Sequence, residues 1–171
     1  MTEKKLITGG TIKYSGYFKL SELYTLIEQW TAERGFDKDD KLHEVKVKEE
    51  GQYIELDLQP AKQISDYVKF VIQIRATFSK ITEEKIVIDE HETTMNKGDA
   101  TILVQGMILT DFEGDWKSRP AYQIWKTIFD KFVFKTDLDT FEDTLKKNVA
   151  ELKHEISSYL NLQKFVSSQG A

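Results

Sequence analysis

The feature that most constrains the fold of this chain is an alternation of apolar and polar residues between about residues 42 and 112. Two short alternating runs flank a turn signal at Glu49–Gln52, and they place these aliphatic residues on one face: Val45, Val47, Ile54, Leu56 and Leu58. Period two is the spacing of side chains along one face of a β-strand. The pattern therefore predicts a β-hairpin with one face in the core and the other in water. Pro60 is expected to end its second strand, because proline cannot donate to a β-ladder.

The same alternation predicts three further strands along the chain. They cover about Tyr67–Ser79, Lys85–Glu92 and Ala100–Phe112. We predict turns between them at Thr82–Glu84 and at Asn96–Asp99, since Asn, Asp and Gly favour turn conformations. The first of these strands is long enough that we expect it to bend or to twist strongly.

The strand predicted at Ala100–Phe112 is apolar on both faces. Ile102, Val104 and Ile108 share one face, and the other face also carries large apolar residues: Leu103, Met107 and Leu109. Both faces of this strand are therefore expected to be covered by other parts of the structure or by a partner. Gly106 stands alone inside this strand, which indicates a bulge or a close approach of another part of the backbone.

The N-terminal part of the chain predicts one strand and one helix. Residues 11–18 alternate as a strand does, and Ser21 is a candidate N-cap for the helix that follows. Apolar residues recur there at helical spacing, at Leu23, Leu26, Ile27 and Trp30. Gly35 is suited to the left-handed conformation that ends many helices.

The C-terminal third is predicted to be helical. Pro120 suits the first turn of a helix that would run to about Phe134. A second helix is predicted to end near Leu162–Phe165, and its apolar stripe consists of Phe141, Leu145, Val149, Leu152, Ile156, Tyr159 and Leu160. Such a stripe docks on the domain's own sheet or, as a heptad seam, pairs two copies of the chain. We predict one α+β domain over residues 1–165 and a disordered tail at 166–171.

This order of elements is similar to the helix-grip architecture of the START-like and Bet v 1-like superfamily. The predicted fold is a curved antiparallel sheet of about six strands packed against a long C-terminal helix. The chain departs from that pattern by having one helix after the first strand instead of two, an extra helix before the last, and no glycine-rich loop between the early strands. The resemblance implies a cavity for a small apolar ligand between the sheet and the long helix.

Composition excludes several classes of function. The 171 residues hold 24 basic and 29 acidic side chains, a net charge of −5 with the signs interleaved, so no basic field for nucleic acid is expected. The absence of cysteine removes disulfides and thiolate chemistry. The N-terminus has no apolar run of signal-peptide length, and no stretch approaches the roughly 20 apolar residues of a membrane helix. We therefore expect a cytoplasmic protein without a membrane span.

No motif in the sequence indicates catalysis, a metal or a cofactor. His43, His91 and His154 lie far apart and without zinc-site spacing. The acidic run Asp89–Glu92 has the chemistry for a hard cation, but such runs more often form a solvated strand end that resists edge pairing. Gly9-Gly10 lacks the helix and the lysine of a phosphate-binding loop. We accordingly assign no catalytic residue, no metal ligand and no cofactor.

The segment 111–120 is the most distinctive irregular stretch, because it mixes acids, an aromatic residue and an arginine before a predicted helix. It either closes one end of the core or forms the rim of a binding site. The residues that would form such a rim or cavity are Tyr14, Tyr17, Tyr67, Arg75, Asp111, Trp116 and Arg119.

Three functional hypotheses follow. The first is a non-enzymatic module that binds a small apolar ligand or a partner, since apolar pockets need leave no sequence motif. The second is a structural or interaction protein that forms a homodimer, with the two apolar faces of Ala100–Phe112 marking an interface. The third is an enzyme whose acid and base come from separate elements, such as Asp111, Asp115 and His91.

Overall fold

The computed structural model describes residues 3–110 and 134–170. These residues form six strands and two helices in this order: β1 (Glu3–Phe18), α1 (Leu20–Glu33), β2 (Asp40–Lys48), β3 (Gly51–Leu58), β4 (Ala61–Gln63), β5 (Val68–Ile88), β6 (His91–Thr110) and α2 (Phe134–Gly170). The predicted segment 111–120 and the helix predicted from Pro120 lie outside the described residues, apart from Phe134, where α2 begins. The fold is α+β, as the sequence predicts.

The strands form one open antiparallel sheet in the order β1-β6-β5-β3-β2. β4 pairs with residues 69–71 of β5, while β3 pairs with residues 74–81 of the same strand, so both lie along one side of β5. Pro60 separates them, and its carbonyl accepts a hydrogen bond from the Ile72 backbone N–H at 3.0 Å. The predicted hairpin and the end of its second strand before Pro60 are confirmed.

β5 and β6 are longer than predicted, and the turn between them lies elsewhere. They form one hairpin whose turn is Asp89-Glu90, with φ of 48° and 65°. Positive φ at both central residues is the geometry of a type I′ turn, which matches the twist of the flanking strands. The predicted turn at Thr82–Glu84 is wrong, because β5 continues through it after a bulge between Ser79 and Thr82.

The predicted turn at Asn96–Asp99 is also wrong, because these residues lie within β6 and serve tertiary contacts. The Asn96 side-chain oxygen accepts a hydrogen bond from the Leu20 backbone N–H at 3.0 Å. Gly98 lies against the bulge of β5, where a Cβ would come within 2.7 Å of the Ser79 carbonyl oxygen. Polar and glycine residues that favour turns are therefore used here for close packing.

α1 is capped by other elements instead of by Ser21. Its N-cap position is Lys19, which makes no side-chain cap, and Ser21 lies inside the helix, where its carbonyl accepts a bond from Thr25 Oγ1. Two of the free N–H groups at the helix start are satisfied from elsewhere: that of Leu20 by Asn96 and that of Lys19 by the Tyr159 hydroxyl of α2. The predicted stop is confirmed, because Gly35 has φ of 75° just after the helix.

α2 lies on the sheet with its apolar stripe inward. Leu145, Val149, Leu152, Ile156 and Leu160 are each no more than 1% exposed and belong to the same core as the inward residues of β5 and β6. Gly106 allows this contact, since a Cβ there would lie 2.8 Å from Val149 Cγ2. The intramolecular interpretation of the stripe and the close approach at Gly106 are confirmed, although helix side chains, not backbone, make that approach.

The structure moves the predicted end of the C-terminal helix and shows what lies on the second apolar face of β6. α2 continues to Gly170, past the predicted end near Phe165, and Ser167 is buried with its hydroxyl bonded to the Lys164 carbonyl at 3.1 Å. Val166–Gly170, predicted to be disordered, belong to α2, and the hydroxyls of Ser167 and Ser168 bond to carbonyls of the preceding turn. On the second face of β6, Met107 is buried opposite Val71 of β5, as the doubled apolar pattern requires.

Candidate functional site

A groove of about 530 Å³ lies between α1 and α2. Most of its lining comes from successive turns of α1 and from Arg34 just after it, and Glu155 contributes from α2; the lining residues are Ser21, Glu22, Thr25, Leu26, Gln29, Trp30, Glu33, Arg34 and Glu155. Its volume falls within the range of small-ligand sites. It is larger than the two other cavities described below.

The two helices are tied together at both ends of this groove. Glu151, Glu155 and Tyr159 are spaced by four residues and share one face of α2. Glu151 pairs with Arg34 at the end of α1, through both Nη2 and Nε, while Tyr159 bonds the start of α1. Glu155, between these two anchors, has neither role and lines the groove.

The Tyr159 hydroxyl sits against the first turn of α1. It accepts a hydrogen bond from the Lys19 backbone N–H at 3.1 Å, and it lies 3.1 Å from both the Lys19 carbonyl oxygen and Glu22 Oε2, to either of which it donates. Burial raises the pKa of this phenol well above its usual range, and the neighbouring Glu22 carboxylate adds to the effect. The hydroxyl is therefore a neutral structural group at physiological pH.

Trp30 bounds the groove on the side of the core. Its side chain is 4% exposed and stacks on Phe36, with the ring centroids 6.3 Å apart. The Arg34 guanidinium carbon lies 4.2 Å from the centroid of the indole ring, which is cation–π geometry. The indole Nε1 is buried and, within the described structure, has no hydrogen-bond partner. A buried donor without an acceptor costs about 1–3 kcal/mol, so this group is a place where an added acceptor would stabilise the protein.

The charges on the groove are mainly negative. Three of its lining residues are glutamates, and the one cation, Arg34, is already paired with Glu151. Glu22 also pairs with Lys19 at 3.3 Å, and both side chains are substantially exposed. An acidic rim above an apolar floor of Leu26 and Trp30 favours a ligand with positive charge and some apolar surface.

The residues predicted for a rim do not form one site. Tyr14 and Tyr17 lie together near the end of β1, where the Tyr14 hydroxyl donates to the Tyr17 carbonyl at 2.6 Å and the Tyr17 hydroxyl donates to Glu84 at 2.6 Å. Burial raises the pKa of Tyr14, and the hydrogen bond to Glu84 raises that of Tyr17. Both phenols are thus engaged in contacts within the sheet.

The other predicted rim residues lie elsewhere. Arg75 pairs with Asp57 at 3.4 Å across β3 and β5 and is exposed. Tyr67 precedes β5 and packs partly buried on the core. Asp111, Trp116 and Arg119 lie outside the described residues.

Two further cavities lie elsewhere in the described structure, one between α1 and the sheet and one at the bulge of β5. The space between α1 and the sheet measures about 10 Å³, close to the least that holds one water molecule, and it is lined by apolar residues such as Leu23, Ile27 and Phe78. A polar pocket of about 330 Å³ lies at the bulge of β5, where its lining includes Lys80, Glu84 and Lys97. Lys97 there is already shared between Glu84, at 3.8 Å, and the Tyr17 ring.

Sequence reasoning placed Trp30 in the core and the glutamates of α1 in solvent, and so it missed the groove. The apolar residues of α1 contained no signal for it, because Leu23, Ile27 and Trp30 share one narrow stripe and Leu26 widens it only to that of an ordinary amphipathic helix. No local pattern links these residues to Glu155, which is far away along the chain.

Compared with known protein families and with curated proteins, this sequence matches none. Across residues 3–110 and 134–170, no cluster of three or more acidic or histidine side chains has the arrangement of a metal site. Neither of the two described helices combines the length and the apolar character that crossing a membrane requires.

Proposed function

We propose that this chain is a non-enzymatic binding module that holds a basic peptide segment of a partner protein in the groove between α1 and α2. The observation that supports this most directly is the acidic rim of three glutamates beside the apolar Leu26 and Trp30; the Trp30 indole also carries a buried N–H that has no partner within the described structure. The carboxylates would pair with cationic side chains of the ligand, and the N–H would donate to one of its hydrogen-bond acceptors.

The rim selects for cationic side chains. Glu33 and Glu155 are exposed, and Glu33 pairs only loosely with Arg34, at 4.0 Å. Lysine or arginine side chains of a ligand would pair with these carboxylates, and their alkyl stems would cover Leu26 and Trp30. Because such pairs are solvent-exposed, each is worth only about 0.2–1 kcal/mol.

A ligand that reaches the buried N–H of Trp30 must bring a hydrogen-bond acceptor. Trp30 Nε1 is a donor only, so it needs a carbonyl or carboxylate oxygen. A peptide backbone supplies a carbonyl at every residue, whereas a simple polyamine supplies cations without any acceptor. This difference favours a peptide over a small polycation as the occupant.

A small apolar ligand held between the sheet and α2 is the alternative suggested by the helix-grip resemblance. The contacts of Gly106 with Val149 and Leu145, and the 10 Å³ space under α1, give that form of the hypothesis less support than the groove. The likeness to the START-like and Bet v 1-like superfamily remains a proposal about the fold's relatives.

The test is a titration of ¹⁵N-labelled protein followed by the indole N–H signal of Trp30, identified by its absence in Trp30→Phe. The probes are a lysine-rich decapeptide, a glutamate-rich decapeptide and spermine. We expect the lysine-rich peptide to move the Trp30 signal downfield, as a new hydrogen bond does. We expect the glutamate-rich peptide to have no effect, and spermine to bind the rim without that downfield shift.

The matched variants separate the groove from general electrostatics. Glu22→Gln/Glu33→Gln/Glu155→Gln should weaken peptide binding about tenfold, from three exposed ion pairs of roughly 0.5 kcal/mol each. Glu83→Gln/Glu90→Gln/Glu92→Gln changes the net charge equally at exposed positions of the β5–β6 hairpin and should leave the affinity unchanged. Equal weakening by both triple variants, or an unmoved Trp30 signal, would refute the proposal.

A further inference from the structure

The outer edge of β2 is an open strand edge that exposes aliphatic side chains. β2 is the last strand of the sheet, and no described strand pairs with its outer side. Val45 is 51% exposed and Val47 is 80% exposed. An open edge presents unpaired N–H and C=O groups, and strands that remain monomeric usually protect such an edge. These valines lie on a face of the sheet next to the open edge, so a strand added at that edge would cover part of them.

The opposite edge of the sheet is protected. β1 carries a bulge between Leu6 and Thr8, which breaks the regular edge. Its Lys5 also pairs with Glu142 of α2 at 2.5 Å, which places the helix alongside this strand. Among the described residues, a bulge and α2 thus protect the β1 edge, whereas the β2 edge is protected only by charged side chains such as Lys46 and Lys48.

We infer that β2 is a self-association surface, at which two copies of the chain pair through antiparallel β2 strands about a two-fold axis. This goes beyond the proposed peptide groove, which lies between the helices and shares no residue with β2. An isologous contact of this kind joins the two sheets into one and uses the same residues on both subunits.

The hairpin geometry shows which backbone groups are available. β2 and β3 are joined by Glu49-Glu50, and Lys48 pairs with Gly51. In a hairpin with two connecting residues, this closing pair is hydrogen-bonded, and the pattern then alternates along the strand. The backbone groups of Lys46 and Lys48 therefore point to β3, whereas those of Val45 and Val47 point to the open edge.

Charge decides the register between the two copies. With Val45 on the two-fold axis, Val45 lies opposite Val45 of the partner subunit, and Glu44 lies opposite Lys46 of the partner subunit, twice by symmetry. With Lys46 on the axis, Glu44 would lie opposite Lys48 of the partner subunit, but Lys46 would lie opposite Lys46 of the partner subunit. Within one chain Lys46 Nζ already lies 3.2 Å from Glu44 Oε1, so the register on Val45 adds a second opposite charge to each side chain. Opposite charges across a strand pair stabilise it and like charges destabilise it, so the register on Val45, which has no like pair at its centre, is favoured.

The association is expected to be weak. A single strand pair buries less than the roughly 1,200 Å² that stable interfaces bury. We expect a dissociation constant of roughly 10–500 μM, comparable to other transient contacts of small area.

The first experiment is sedimentation velocity between about 10 μM and 1 mM, with circular dichroism to confirm that each variant is folded. The unmodified chain should shift from monomer to dimer with concentration. Glu44→Lys and Lys46→Glu should each weaken dimerisation at least fivefold, and the double exchange Glu44→Lys/Lys46→Glu should restore it. Val87→Lys changes another exposed valine, at 54% exposure in the β5–β6 hairpin, and should have no effect.

The second experiment uses the absence of cysteine from the chain. Directly opposite residues in a hydrogen-bonded antiparallel pair have Cα atoms about 5.5 Å apart, which a disulfide can span. Under mild oxidation Val45→Cys should therefore form a covalent dimer faster than Lys46→Cys or Val87→Cys. A chain that stays monomeric throughout, a dimer insensitive to the Glu44 and Lys46 exchanges, or equal cross-linking of all three cysteine variants would overturn the inference.

Discussion

β1 and β2 form the two edges of one sheet, yet only β1 lies under α2. Ile7, Ile12 and Tyr14 of β1 pack against the core, and Lys5 reaches α2 through Glu142. On β2, Val45 and Val47 point toward the same side of the sheet as the core but remain exposed. Of the two described helices, α2 covers the centre of the sheet and the β1 edge, and neither reaches the β2 edge.

The alternation of apolar and polar residues therefore has two different consequences in this protein. Where a helix covers the apolar face, the pattern stabilises the folded monomer through buried area, at roughly 25 cal/mol per Å². Where no helix covers it, the same pattern contributes little to the monomer and leaves an apolar surface for a partner. Stability and association therefore depend on different strands.

Among the substitutions that test this difference between covered and uncovered apolar faces, Leu152→Ala is expected to have the largest effect on stability. Leu152 is fully buried between α2 and the sheet, so its truncation should lower the free energy of unfolding by about 2–5 kcal/mol, through lost transfer energy and the remaining cavity. Val47→Ala, on the uncovered edge, should change it by no more than about 0.5 kcal/mol. Urea unfolding of both variants provides the measurement, and losses of similar size would contradict the division between the two regions.

An intermediate effect is expected from Gly106→Ala, which adds one methyl group beneath α2. The new Cβ would lie 2.8 Å from Val149 Cγ2 and 2.9 Å from Leu145 Cγ, so we expect a loss of about 1–3 kcal/mol by overpacking. Gly9→Ala is the matched control on β1, where the nearest atom is Cγ of the flexible Gln105 side chain at 3.2 Å. Thermal unfolding should show a clear decrease only for Gly106→Ala. A harmless Gly106→Ala would mean that α2 does not pack closely on β6.

The smallest effect on stability is expected from loss of the Tyr159 hydrogen bond between the two helices, and this effect should depend on pH. Tyr159→Phe removes a hydroxyl that joins α2 to the start of α1 and should cost about 0.5–1.5 kcal/mol at pH 7. The folded-state pKa of Tyr159 lies above its unfolded value near 10, so the folded protein keeps this proton after the unfolded chain has lost it. The contribution of Tyr159 is therefore fully present below pH 10 and decreases as the pH rises further.

Equilibrium unfolding between pH 8 and pH 11 measures this last prediction. Because the phenylalanine variant lacks the titrating group, its stability should decline less steeply above pH 10 than that of the unmodified chain. Identical slopes for the two proteins would show that Tyr159 titrates normally in the folded state.

The local features of the fold were predictable because they depend on neighbouring residues. Alternation at Val45–Leu58 predicted the β2–β3 hairpin, and Gly35 predicted the end of α1; both are confirmed. The turn between β5 and β6 was misplaced, since Asp89-Glu90 lacks the glycine that usually marks a type I′ turn. Asn96 and Gly98 have the composition of a turn, but a helix N-terminus and a bulge require them within a strand.

The candidate site was less predictable, because its parts come from distant places in the chain. Trp30 and Glu155 meet only after α2 crosses the sheet beside α1, and no spacing rule connects them. The predicted rim grouped aromatic and charged residues by type, and the structure places Tyr14, Tyr67 and Arg75 in separate contacts.

The sequence by itself determined the kinds of element in this protein and which of their faces are apolar, because the direction of a side chain follows from local backbone geometry. Only the tertiary structure decided which apolar faces the described helices cover, where the long hairpin turns, and that the buried Trp30 N–H has no partner in the described part of the chain. These outcomes depend on contacts between residues far apart in the chain, and side-chain periodicity contains no information about such contacts.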